Sequence, residues 1–176
     1  MHCLALVVRI VSFTPPALLA SACVLPPSLE LDEGDAGVNS PPVLRDVRDE
    51  AGNPFERPGP RDIVVGEGRL VLTATDRDVE DTLYVRYYLD YGIVAPTAAK
   101  ITCRAAPGAM PTLERQVTCS LVGVCTAVDV GAEHILEIDV YDREPQDDGD
   151  RLFRDVAAPG EYTTWWWKVT CREGSS

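Results

Sequence analysis

The chain is expected to fold as an all-β sandwich of about seven to nine short strands, because from Pro41 onward apolar and polar residues alternate with period 2. Loops rich in Gly, Pro and Asp separate these runs, and no amphipathic helix longer than a turn or two interrupts them. Each run has one apolar face, so two sheets packed face to face are the simplest way to bury them all.

Taken in order, Pro42-Val43-Leu44 opens the domain and Ile63-Val64-Val65 follows a Pro/Gly-rich loop. Residues 69–75 place Leu70, Leu72 and Ala74 on one face. Residues 83–91 place Leu83, Val85, Tyr87, Leu89 and Tyr91 inward, and Tyr84, Arg86, Tyr88 and Asp90 outward. Residues 100–104 turn Ile101 and Cys103 to the interior, and 116–122 do the same with Val117, Cys119 and Leu121. In 134–141 Leu136, Ile138 and Val140 point in, with Glu137 and Asp139 out. The last run, 162–171, sets Trp165, Trp167, Val169 and Cys171 against Thr164, Trp166, Lys168 and Thr170. A long connection, 142–161, is expected to carry no strand.

The spacing of these runs resembles the immunoglobulin-like family, with 69–75 as strand B, 83–91 as C, 134–141 as F and 162–171 as G. Thr73-Ala74-Thr75-Asp76-Arg77-Asp78, then Glu80, Asp81 and Leu83, resembles the B–C corner of cadherin-like and PKD-like domains. Gly131, His134, Leu136, Ile138, Val140 and Asp142 are similar to their strand F. The resemblance covers about 42–171 and implies an adhesion or assembly fold. The cysteines and the 142–161 connection depart from it.

Upstream of the domain, the apolar, acid-free stretch 1–22 has Arg9 as its one basic residue and ends Leu19-Ala20-Ser21-Ala22 before Cys23. That is the layout of a secretory signal peptide. Its end resembles a bacterial lipobox, which implies cleavage before Cys23 and a lipid on that cysteine. An ordinary signal peptide cut after Ala22 is the alternative; an uncleaved anchor is disfavoured because Pro15-Pro16 breaks the apolar run. Residues 23–40, with Pro, Gly and acidic side chains and no periodicity, are expected to be a disordered tether, leaving 41–176 as the domain. By the same resemblance, Val24 in place of an aspartate after the cysteine favours the outer membrane.

Net charge is −12 for the whole chain, and losing the leader removes Arg9 alone, giving −13. Such a balance argues against nucleic acid, whose phosphates need a basic stripe. Beyond Cys3 and Cys23 the cysteines are Cys103, Cys119, Cys125 and Cys171, an even set suited to two disulfides in an oxidising compartment. Three connectivities exist. Strand parity turns Cys103, Cys119 and Cys171 inward and favours Cys103–Cys119 with Cys125–Cys171. A zinc site is the alternative, against which stands the lack of any CxxC pair.

Three constellations compete as functional sites. The alternating acids Asp76, Asp78, Glu80 and Asp81 have a spacing suited to Ca²⁺, and the F–G loop acids Asp142, Glu144, Asp147, Asp148 and Asp150 would approach the same end; a merely solvated acidic pole is the plain alternative. Tyr84, Tyr88 and Trp166 would share the outer face of one sheet as an exposed aromatic patch, set against ordinary cross-strand packing. Glu137 and Asp139, roughly 7 Å apart by strand rise, resemble a hydrolytic carboxylate pair. His134 is the one histidine beyond the leader, and no phosphate loop or nucleophile elbow occurs. The expected function is therefore a lipid-anchored, non-catalytic binding or assembly module of the cell envelope, facing an envelope protein or polysaccharide. A calcium-stabilised adhesion domain and an envelope hydrolase are the alternatives.

Overall fold

A computed structural model describes residues 39–174. The expected leader, the lipidation candidate Cys23 and the tether through residue 38 lie outside the described residues. Two sheets face each other across one core. The first orders its strands β1 (Val43–Asp49), β3 (Arg69–Thr75), β6 (Glu114–Ser120). The second runs β2 (Arg61–Val64), β10 (Tyr162–Arg172), β7 (Glu133–Tyr141), β4 (Leu83–Leu89), β5 (Ile101–Ala105). Pairing is antiparallel except between β2 and β10. The orders β1-β3-β6 and β10-β7-β4 are those of strands A-B-E and G-F-C in an immunoglobulin-like sandwich.

Parity decides what meets in the middle. Leu70, Leu72 and Ala74 of β3 and Val117 of β6 face Val85 and Tyr87 of β4, Leu136, Ile138 and Val140 of β7, and Trp167 and Val169 of β10. The Trp167 indole N–H donates to the Phe55 carbonyl at 2.8 Å and its ring packs tilted on Phe55, 5.7 Å between centroids. That gives the largest buried side chain both its apolar shell and its one polar partner. The Tyr87 hydroxyl has no hydrogen-bond partner among the described residues, and burial pushes its pKa up. A glycine is required at position 59, where φ is +95° and an added Cβ would sit 2.3 Å from the Lys168 carbonyl oxygen.

Both favoured disulfides form. Cys103 of β5 and Cys119 of β6 join the facing edges of the two sheets, so they meet across the sandwich rather than as neighbours in one sheet; Cys125, just after β6, reaches Cys171 of β10. Closing loops of 16 and 46 residues, they stabilise by roughly 3 to 4 kcal/mol each on the chain-entropy account.

Two boundaries differ from expectation. Asn39, assigned to the tether, already donates its side-chain amide to the Pro159 carbonyl at 2.7 Å and to the Asp142 carboxylate. The 142–161 connection is not strandless: Pro145–Gln146 (β8) pairs with Asp155–Val156 (β9) as a small hairpin. This hairpin lies across the outer face of the five-stranded sheet and changes what that face is.

Candidate functional site

Strand register writes the outer face as three rows running β4, β7, β10: Tyr84–Tyr141–Tyr162, then Arg86–Asp139–Thr164, then Tyr88–Glu137–Trp166. Alternation alone would leave all three rows in water. Instead the 142–161 connection folds over the β4 and β7 part of them. Tyr88, expected in an exposed aromatic patch with Tyr84 and Trp166, is 0% exposed, and its hydroxyl donates to the Phe153 carbonyl. Tyr84 is half-buried and Trp166 remains 46% exposed. The three aromatics therefore do not make one patch. Arg154 of the covering segment sits on Glu137, the residue between Tyr88 and Trp166 in their row.

The connection is held by buried charge. Arg86 donates to the Asp147 carboxylate at 2.8 Å, to the Phe153 carbonyl at 2.9 Å and to the Pro145 carbonyl at 3.1 Å. Two donors thus converge on the carbonyl of Phe153, whose φ of +67° is a left-handed conformation of order 1–3 kcal/mol that those bonds help to hold. From the same segment Arg154 reaches down onto the sheet. Its guanidinium donates to Glu137 at 2.6 Å, lies 3.0 Å from Asp139, and stacks over the rings of Tyr88 and Tyr91. Asp139 is 0% exposed and also accepts from Thr164 at 2.7 Å and from the Tyr141 hydroxyl at 2.8 Å. Burial lifts the Asp139 carboxyl above its ordinary range, against the pull of Arg154 and the two hydroxyls.

Glu137 and Asp139 were expected side by side on an open face. They are side by side, but under cover and sharing one arginine. A hydrolytic pair needs room for a water or a leaving group between its carboxyls; here that room holds a guanidinium. The sequence signal for this cover is Leu152-Phe153-Arg154, an apolar pair followed by a cation inside a long polar connection.

The acidic corner is likewise reorganised by an arginine. Asp76 is buried, accepts from the Asp78 backbone N–H at 3.1 Å, and faces Arg115, 3.4 Å away. Arg115 also donates to the backbone carbonyls of Asp81 and Asp78. Thus the positive charge gathering this turn is a side chain of β6, and Asp78 and Asp81 contribute their carbonyls to it. Burial raises the Asp76 carboxyl pKa. Among the described residues no group of three or more His, Cys, Asp or Glu side chains is placed to hold a metal ion, so Asp76, Asp78, Glu80 and Asp81 do not converge as a calcium cage. Nor do the F–G loop acids gather there as one set. Asp142 is held by the Glu161 backbone N–H at 2.9 Å and by Asn39, while Asp147 pairs with Arg86 over the sheet face. His134 leads into β7 as expected, with Nδ1 2.6 Å from Asp90, which also accepts from the Ile135 backbone N–H.

Beyond the cover, solvent meets a strip along β10 on this side. Arg57, Pro58 and Trp166 line an open cavity of about 310 Å³ where the chain before β2 leaves the sheet. The Arg57 guanidinium stacks 3.7 Å from the centre of the half-buried Trp165 ring, so successive tryptophans are presented to opposite sides of one strand. No protein-family model matches this sequence, and no curated protein matches it either.

Proposed function

We propose that this chain is a lipid-anchored cell-envelope protein whose domain is a non-catalytic binding or assembly module. The observation that carries the module reading is the contrast on the outer face. The paired carboxylates that would serve hydrolysis are covered and share the one cation Arg154, while an accessible feature is an aromatic step at Trp166. Two disulfides support a life in an oxidising compartment, where a secretory leader would deliver the chain. The anchor rests on Leu19-Ala20-Ser21-Ala22-Cys23, and Val24 favours the outer membrane by the same resemblance.

Labelling cells with radioactive palmitate tests the anchor directly. The wild-type chain is expected to incorporate label and to fractionate with membranes, and Cys23→Ser to do neither. Equal labelling of the two, or of neither, refutes it.

A further inference from the structure

We propose that the N-terminal half of β10 is a strand-addition site for an extended, acidic segment of a partner polypeptide. The proposal names the ligand class of the binding module above and rests on that reading. It starts from backbone direction. Lys168 N–H donates to the Pro58 carbonyl at 2.6 Å, away from β7, whereas Cys171 exchanges with Ala132 and Gly131 on the β7 side. Alternation then points the N–H and C=O groups of Thr164 and Trp166 the same way as those of Lys168. β2 does not begin to pair until Arg61 stands beside Val169. Before that, the chain turns inward at Phe55, whose N–H bonds Val47 of β1 and whose carbonyl takes the Trp167 indole. Among the described residues, no backbone group pairs with Thr164 or Trp166 on this side.

Two other edges are constrained. The free side of β1 has a register shift between Leu44 and Asp46 and is met by Asn53, Pro54 and Phe55. β5 is tied to β6 by the Cys103–Cys119 disulfide. Tyr162–Trp166 has no proline and no shift of register, so it lacks the usual devices that blunt an edge.

Charge selects the occupant. Arg57 is exposed along this edge and, like Arg61, forms no ion pair among the described residues, whereas Lys168 shares the Trp166 face and lies in a cavity with Asp90 and Glu133. In a chain of net charge −12, Arg57 is a cation beside unpaired backbone, complementary to carboxylates on an incoming strand. A second copy would set Arg57 against itself. In an antiparallel added strand, side chains on the Trp165 face meet Arg57, and those on the opposite face meet Trp166 and Pro58. The fitting sequence alternates acidic with apolar residues.

The test uses the full chain in detergent at low salt, light scattering for its mass, and a fluorescein-labelled peptide of alternating valine and glutamate read by anisotropy. Saturable binding is expected, weakened about tenfold or more when the valine nitrogens are methylated, since that removes one or two backbone hydrogen bonds to β10. Methylating the glutamate nitrogens, which face away, leaves affinity unchanged. Trp166→Ala and a valine–lysine peptide each bind at least several-fold more weakly. Equal affinity of the two methylated peptides, no binding of the unmethylated one, or a dimer mass without peptide overturns the proposal. Palmitate labelling is independent of every one of these outcomes, so failure of the anchor and failure of the edge are distinguishable.

Discussion

The outer face of the five-stranded sheet has two halves that the same alternation produced and that ended in opposite states. Over β4 and β7 the outward residues Arg86, Asp139 and Tyr88 are buried, and Glu137 half-buried, under the 142–161 connection, with Arg154 on both carboxylates. On β10, one strand further along the same rows, Trp166 stands in solvent beside an unpaired edge. Period 2 assigns a side chain to a face of its sheet; whether that face stays wet depends on what packs over it. Where a long connection returned across the sheet, polar residues became a buried network, and where it did not, an aromatic residue became surface.

The largest effect should come from breaking the covered half. Arg154→Ala removes the cation shared by Glu137 and Asp139, leaving the fully buried Asp139 without its charge partner, and is expected to destabilise by about 3–5 kcal/mol. Paired measurements in urea would compare it with Arg154→Ala/Asp139→Asn, which removes the stranded charge and should recover part of the loss. If the single variant costs less than about 1 kcal/mol, the connection is a loosely held surface loop, and the contrast between the halves disappears.

A smaller effect, readable by its sign, is the pH dependence carried by Asp139. Its folded pKa is raised above the ordinary 3.8, so between those values the folded state holds more protons than the unfolded chain. Stability contributed by this group is therefore greatest at or below 3.8 and declines as pH rises through the folded value. Asp76 shifts in the same direction, also through burial. Asp49 and Asp129 are lowered by hydrogen bonds from Asn53 and Thr126, and their contribution is lost only on acidification below the same 3.8. Urea midpoints of wild type and Asp139→Asn between about pH 4 and 7 should diverge, wild type losing ground as pH rises. The opposite slope would mean that Arg154 and the hydroxyls outweigh burial.

Much of the sandwich was legible because its signals are local. Arg69–Thr75 is the strand that its alternation marks out, and strand parity favours the two disulfides that form. The site was less legible because arginines decide it from a distance in sequence. Arg154 comes from the covering connection and Arg115 from β6, 39 residues beyond Asp76. Nothing in a run of alternating acids says which cation will answer it, so the Asp76–Asp81 corner reads as a solvated acidic pole or a calcium loop, whereas the Asp76 carboxylate and the carbonyls of Asp78 and Asp81 face Arg115. Tyr88 and Asp139 were likewise assigned correctly to the outer side but not to water, because coverage by the β8–β9 hairpin is a tertiary fact.

The smallest expected effect sits in the open half. Trp166 and Trp167 are adjacent and chemically identical, yet one is 46% exposed and the other 0%. Trp167→Ala should cost about 3–5 kcal/mol, since it opens a cavity under Phe55 and strands that residue's carbonyl. Trp166→Ala removes a side chain that no hydrogen bond or aromatic contact among the described residues engages, so thermal unfolding should place it within about 0.5 kcal/mol of wild type. A surface tryptophan that contributes nothing to folding is free to serve binding, and a stability loss comparable to that of Trp167→Ala would return Trp166 to the core and leave the β10 edge without its platform.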